Sequence, residues 1–397
     1  MTTVTSAHPD APPSVPASRI WLAAWPVVAV FVLSNAATPL YPLWRERLGF
    51  SSGTLTVIFA GYIVGLIAAL LSAGVLSDRI GRRPVLLPGI ALALVACVLF
   101  ATANSVVALG IARVLTGIAV GAAVSAGMAA VADVAGERRS GLAALAASTA
   151  MVCGAGTGPL LAGVLAQLVP GPTVVVFVVE AGLLVSAAAV VYWLPLPAVT
   201  AKGIGWVRIP GVPRANRRAL ALGVAVFAPG ITATSFVLSL GPSLLVGLLG
   251  TSNRIIAGGM AFAMFAAATG AQFLARPWPT RRVLLLGALP TVAAMGTLAL
   301  TLTTHQAAGL LIAAILAGTG QGLGQFGGLT LLFTGVPDTR RAEANAALNI
   351  GGYIPAAALP VTAGYLGDAL GTAWGAGIFA IALGTVAALA AAFVARG

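Results

Sequence analysis

Two ionisable side chains stand inside long apolar runs of this 397-residue sequence. Arg113 lies in Leu109-Gly-Ile-Ala-Arg113-Val-Leu-Thr-Gly117, and Glu180 follows Val175-Val-Phe-Val-Val. A charge flanked by hydrocarbon is costly unless it faces a cavity or a partner, so each marks a candidate functional position. Both fall seven residues into their runs, counted from the same side. At 1.5 Å rise per residue they should share a depth of ~10 Å and interact. The chemistry on offer is reversible protonation of Glu180, with Arg113 as the charge that answers it. The alternatives are a static buried pair and, for Arg113, a side chain that snorkels to the nearer edge.

No other reactive constellation is present. The nine acids and the two histidines, His8 and His305, build no Ser/His/Asp, paired-carboxylate or metal-ligand pattern. Cys97 and Cys153 sit in apolar runs without His or Asp neighbours, and read as packing thiols rather than a metal or disulfide framework. An enzyme is therefore not expected, nor is a cofactor or a metal.

Composition decides where these residues must be positioned. With 59% hydrophobic and 8% charged residues, and a mean hydropathy of +1.03, a soluble fold lacks the polar surface to cover itself. That excludes a soluble enzyme or a nucleic-acid-binding domain, despite the net charge of +12. The remaining solvent is a lipid bilayer, which each helix of ~20 apolar residues can span. Twelve spans are expected: Trp21–Leu43, Thr54–Ser77, Pro84–Ala103, Val106–Val131, Leu142–Val169, Thr173–Leu194, Ala219–Val246, Ile255–Ala275, Val283–Leu302, Ala307–Thr334, Ala342–Leu366 and Ala373–Val394. They divide the chain into a tail (1–19, Pro-rich and expected to be disordered), a six-helix bundle (20–194), a linker (195–218) and a second six-helix bundle (219–397). The first eighteen residues have no basic n-region followed by a short apolar core, so they do not resemble a signal peptide.

The basic residues assign the sides. Arg79, Arg82, Arg83, Arg138, Arg139, Lys202, Arg208, Arg214, Arg217, Arg218, Arg276, Arg281, Arg282, Arg340 and Arg341 fall in alternate junctions, together with Arg19 and Arg396 near the ends. Only Arg45, Arg47 and Arg254 fall on the other side. By the positive-inside rule both termini are cytoplasmic and the helix count is even.

The second junction reads Gly74-Val-Leu-Ser-Asp78-Arg79-Ile-Gly81-Arg82-Arg83-Pro84. Arginines alone would serve topology, whereas an acid and two glycines at fixed spacing point to a tight, backbone-close junction. The stretch resembles the signature loop of the major facilitator superfamily. That resemblance implies a gating latch in which Asp78 sits at the N-terminus of span eleven, favoured by the helix dipole, while Arg82 pairs with Asp133 at the end of span four. The corresponding loop of the second half, Gly270 to Arg282, keeps its arginines without the acid. Arg113 in turn resembles the superfamily's span-four arginine, which is associated with proton coupling. Span one carries Asn35 where some drug exporters of this kind place an acid.

Span five contains Gly154, Gly158-Pro159 and Gly163, with Ala162 between them. Small residues permit close helix approach and the proline removes a backbone bond. The pattern resembles the superfamily's antiporter motif, which implies export by exchange. At an offset of 201, Glu137 aligns with Asp338, Arg139 with Arg340, Pro159 with Pro360 and Gly163 with Gly364, as expected of a duplicated half. In span ten, Gln321 and Gln325 lie one turn apart. With Asn35, Tyr41 and Asn349 they are candidate substrate-binding groups, or else polar glue between helices.

These readings converge on an all-α membrane protein with twelve transmembrane helices in two pseudo-symmetric bundles. The resemblance implies a proton-coupled exporter of neutral or cationic lipophilic compounds, working as a monomer in a bacterial inner membrane. Its partners would be the small-molecule substrate, protons and the lipid bilayer, with no nucleic acid. The alternatives are a transporter of a sugar or other small metabolite, in either direction, and a non-transporting membrane receptor.

Overall fold

The computed structural model describes residues 16–196, 210–250, 253–337 and 340–396. Most of the expected tail and linker, with Lys202 and Arg208, lies outside these residues, as does Asp338 of the repeat. Within them the chain forms twelve helices long and apolar enough to cross a membrane. They are α1 (Ala17–Leu48), α2 (Ser52–Ile80), α3 (Arg83–Ala101), α4 (Val106–Ala135), α5 (Ser140–Leu168) and α6 (Pro172–Trp193) in the first half. The second half holds α7 (Arg214–Gly247), α8 (Arg254–Ala275), α9 (Thr280–Thr304), α10 (Ala307–Gly335), α11 (Glu343–Leu370) and α12 (Thr372–Arg396).

A helix satisfies its own backbone, the one requirement lipid imposes on every spanning segment. Polar residues then set the ends. Ser51, Ser105 and Asn253 accept from the first free amides of α2, α4 and α8. Several helices run past the expected limits because charged residues keep helical geometry at the rim. Arg45 and Arg47, expected in a junction, lie on the last turns of α1. That helix is broken by a 3₁₀ turn at Thr38–Leu40, where Pro39 has no amide hydrogen to donate. A π-helical turn at Ala123–Gly127 interrupts α4 between Arg113 and Asp133, a feature without a sequence signal.

The halves repeat one packing scheme. Helix α1 packs on α5, α2 on α4, and α3 on α4 and α6; α7 packs on α11, α8 on α10, and α9 on α10 and α12. Glycine brings the backbones together in both. A side chain at Gly65 or Gly117 would strike the carbonyl of Val114 or Tyr62 across the α2–α4 contact. Gly318 and Gly322 abut the Met264 and Ala268 carbonyls across α8–α10 in the same way. Arginines close the bundles at the arginine-rich end. Arg83 donates to the carbonyls of Val191 and Leu194 at the end of α6, and Arg281 to that of Ala395 at the end of α12.

Two seams join the bundles, α5 with α8 and α2 with α11. Both are tight at the end opposite the arginine-rich junctions, called the far end below. Gly163 lies against the backbone of Arg254 and Gly364 against that of Ser52 and Gly53, so the duplicated glycines occupy equivalent seams. Gln167 and Asp368 are related by the same offset of 201. The Gln167 Oε1 accepts from the Arg254 amide at 3.2 Å. The Asp368 carboxylate accepts from the Ser52 and Gly53 amides, each at 2.8 Å. Each bundle therefore caps a helix N-terminus of the other, and the carboxylate makes the stronger cap.

Asp368→Ala should loosen the far end. With both native cysteines replaced and a single cysteine at Leu43, beside the far-end cleft, its labelling by an impermeant maleimide is expected to quicken about five-fold, equivalent to ~1 kcal/mol. Gln167→Ala is expected to act more weakly. An unchanged rate in Asp368→Ala would show that the cap does not hold the seam.

Candidate functional site

Between the bundles lies a cavity of about 150 Å³. The first half contributes Phe31, Ser34 and Asn35 from α1, Phe59, Tyr62 and Ile63 from α2, and Met151, Val152 and Ala155 from α5. The second half contributes Ile231, Thr234, Ser235 and Leu238 from α7, Phe265, Ala268, Thr269 and Gln272 from α8, Gln321 and Gln325 from α10, and Tyr353 from α11. Among the described residues no charged side chain lines it. Asn35, Gln321 and Gln325 are thus brought to one space. Asn35 Nδ2 donates to Ser34 Oγ at 3.0 Å, and Gln321 Nε2 to Gln325 Oε1 at 3.2 Å.

The other two expected substrate groups lie elsewhere. Tyr41 is fully buried in the first bundle, beyond the break in α1, and does not line the cavity. Asn349 sits one turn from Tyr353 towards the arginine-rich end, where its Nδ2 donates to the carbonyl and Oδ1 of Asn345. Sequence reasoning missed Gln272, Thr269, Tyr62 and Tyr353. Gln272 had a usable signal, a carboxamide within an apolar run like Gln321. The tyrosines had none, since an amphipathic ring suits core and cavity alike.

Arg113 and Glu180 are both buried, at 0% and 1% exposure, yet they do not pair. Arg113 Nη1 donates to the Ser34 carbonyl at 2.8 Å, and its guanidinium lies 4.8 Å from the Phe59 ring centre, 5.1 Å from Tyr62 and 5.8 Å from Tyr41. Neither Glu180 oxygen has a hydrogen-bond partner among the described residues. Equal depth was the wrong criterion, because α4 packs on α2 and α3 whereas α6 packs on α3 and α1. An aromatic cluster fills the space near them. Trp44 lies 5.9 Å from Tyr41 and 6.1 Å from Phe177, and Phe177 stacks on Phe100 at 4.8 Å. The Tyr41 hydroxyl, Trp44 Nε1, Thr38 Oγ1 and two Arg113 nitrogens are also buried without hydrogen-bond partners among the described residues. Unsatisfied polar atoms are rare in protein interiors, and most of those among the described residues gather in the first bundle around Arg113 and Glu180.

At the arginine-rich end Arg82 is the hub. Its Nε donates to Asp133 at 2.9 Å, and its Nη1 to Asp78 at 2.5 Å and to Ser77 Oγ at 3.0 Å. Burial opposes its charge, but the hydrogen bonds and charges of Asp78 and Asp133 more than offset this and raise its pKa. Gly81 ends α2 at φ 103°, a conformation other residues rarely adopt, and so turns the chain towards Arg82. Gly74 is a half-buried helical residue of α2, and Arg79 occupies its last turn. In the second half Arg276 stacks on Phe273 at 4.1 Å and Arg282 on Trp278 at 5.1 Å.

Helix α5 touches both bundles. Gly154 and Gly158 abut the α1 backbone at Val28 and Val32, while the Pro159 carbonyl meets Gly258 of α8.

The family model described as Major Facilitator Superfamily matches residues 24–360. The chain is 31% identical over 147 residues to the multidrug resistance protein MdtL of Escherichia coli O139:H28, a stretch covering 36% of each protein. It thus spans about a third of the length of that curated relative. Among solved structures it is similar to a bacterial homologue of the human lysosomal transporter Spinster, inward-facing and unoccupied, with 15% identity, 97% of each chain and a TM-score of 0.71. It is also similar to a D-xylose-proton symporter, with 17% identity, 95% of this chain, 96% of the other and a TM-score of 0.69. At these identities the likeness to both structures is one of fold.

The α5 contacts are open to test by melting. Gly158→Val forces a side chain into the Val32 carbonyl and should cost about 1–3 kcal/mol, lowering the midpoint of the purified protein by several degrees. Gly182→Val on α6, where nothing lies within 4 Å, should leave it unchanged. Equal tolerance at both sites would mean that α5 withdraws from α1 freely.

Proposed function

The chain belongs to the Major Facilitator Superfamily, and on that premise we propose that it exports small lipophilic compounds in exchange for protons by alternating access. Family and fold make it a multi-pass transporter of small molecules rather than an enzyme. The cargo, the direction and the coupling ion are our reading. The observation that carries it is the uncharged cavity between two bundles that meet tightly at the far end. A site enclosed between two bodies and closed on one side is what alternating access requires.

In this reading the arginine-rich end is cytoplasmic, both termini with it, and the membrane is a bacterial inner membrane. Asp78, Arg79, Arg82, Arg83 and Asp133, with Gly74 and Gly81, form the latch of that end. When the cytoplasmic side closes, Asp78 swings to the N-terminus of α11, mirroring the cap that Asp368 makes on α2 at the far end. Helix α5, with Gly154, Gly158, Pro159 and Gly163, slides as the seam changes sides. The relative MdtL is a multidrug resistance protein, which supports a drug-like cargo over a sugar.

Glu180 is the proton site in this scheme, and Arg113 senses it through the aromatic cluster rather than by contact. The cluster of unpartnered buried atoms around Tyr41 and Trp44 supports such a role, because partner-free polar atoms are retained at a cost. Arg113 holds the Ser34 carbonyl and backs Phe59 and Tyr62, so a change in its field reaches the cavity wall.

Proteoliposomes with an imposed pH gradient test this directly. Purified protein should drive gradient-dependent movement of an uncharged lipophilic dye, and a protonophore should abolish it. Glu180→Gln should lose the gradient dependence while still exchanging dye across equal pH. Normal gradient-driven flux in Glu180→Gln would remove Glu180 from the coupling, and flux of a sugar in place of the dye would favour the metabolite reading.

A further inference from the structure

We propose that the central cavity selects an uncharged substrate whose polar edge carries a hydrogen-bond donor and acceptor side by side, as an amide or lactam does, and that Gln321 and Gln325 read that edge. The inference rests on the transporter reading above and names the substrate class of the same cavity.

Charge is decided first. Among the described residues no carboxylate, guanidinium or ammonium lines the cavity. Arg113 lies behind its wall, sealed at 0% exposure beneath Phe59 and Tyr62. A cation in the cavity would feel that positive charge through a low-dielectric wall, with no lining carboxylate to offset it. An anion would leave water without reaching the guanidinium, and so gain no charged hydrogen bond for its lost hydration. A neutral molecule escapes both costs. Lipophilic cations, still admitted by composition alone, are thereby disfavoured.

The hydroxyls of Ser34, Thr234 and Thr269 donate to the carbonyls of Phe31, Ile231 and Phe265 in their own helices, which leaves them lone pairs only. The carboxamides still have hydrogens to give. Gln321 and Gln325 bond to each other at 3.2 Å, and this consumes one donor and one acceptor. What remains wholly unengaged is the carbonyl oxygen of one group and the amide nitrogen of its neighbour. Reversing both amide planes exchanges the two roles and preserves the pair, so the pattern does not depend on which amide atom is nitrogen. A lactam edge, with its N–H beside its C=O, complements it.

The pair is also held in place. The backbone of Gln321 packs against Gly230 of α7, and Gly324 packs against the backbone of Phe227, so the α10 face that bears both glutamines is locked to α7. Across the cavity, Phe31, Phe59 and Met151 offer an apolar wall for the body of the substrate. A preorganised polar edge opposite an apolar wall discriminates by hydrogen bonding, because an analogue without the N–H leaves a buried acceptor unpaired.

The test is equilibrium dialysis of the full chain in lipid nanodiscs, without a pH gradient, against three bicyclic probes of matched size: 2-quinolinone, N-methyl-2-quinolinone and the N-methylquinolinium cation. The lactam should bind at least about ten-fold tighter than either of the others. Gln321→Leu should reduce the lactam's advantage over its N-methyl analogue to below about three-fold, and Gln325→Glu should reverse the preference towards the cation. Tighter binding of the cation to the unaltered protein, an unchanged lactam preference in Gln321→Leu, or saturable binding of none of the three would overturn the inference. Lactam binding without gradient-driven flux would sink proton-coupled export and leave this site standing; gradient-driven flux of the cation alone would do the reverse.

Discussion

Backbone-to-backbone approach of helices is the constraint on which the rest of this structure depends. In lipid no hydrophobic force drives one apolar helix onto another, so association relies on van der Waals fit and the few polar bonds available. Glycines supply that fit at Gly65 and Gly117 within the first bundle, at Gly318 and Gly322 within the second, and at Gly163 and Gly364 between them. The seams between bundles therefore consist of carbonyls lying against glycines, with a single carboxylate cap at Asp368 and a carboxamide cap at Gln167. Few side chains reach across these seams, among them Tyr365 against Gly53 and Arg254 on the Ala166 carbonyl. In the proposed alternating-access cycle that suits two bodies that part and rejoin.

The placement of charge follows a different logic. Exposed arginines end helices or stack on rings, whereas Arg113 is enclosed by Phe59, Tyr62 and Tyr41 with one carbonyl as its hydrogen-bond acceptor. Its isolation from Glu180 divides the first bundle into a charged wall beside the cavity and an acid on the side of α3 and α1. The cavity inherits a field without inheriting a charge. Its second-half wall sets the carboxamides of Gln272, Gln321 and Gln325 and the hydroxyls of Thr234, Ser235 and Thr269 among apolar Ile231, Leu238, Phe265 and Ala268.

Much of this was legible in the sequence. Hydropathy and the alternation of arginines give twelve helices, since lipid leaves the backbone no alternative to helix over such lengths. The loop around Asp78 and Arg82 and the glycines of α5 were readable because each depends on local spacing along one or two turns. Gln321 and Gln325 were readable for the same reason, being one turn apart on one face.

Side-chain neighbours across helices were not. The depth of Arg113 and Glu180 follows from residue counts, but rotation and helix order do not, and α3 and α1 stand where a contact between them was expected. Tyr41 left the cavity because a 3₁₀ turn at Thr38–Leu40 redirects the end of α1, and Asp368 entered a seam only because α11 crosses α2. The sequence by itself determined that the chain spans a membrane twelve times, where its basic rim lies and which residues permit close packing, because these are properties of single helices in a solvent. The tertiary structure alone decided which polar groups share the cavity and which remain sealed from one another, because that depends on how the helices turn and cross.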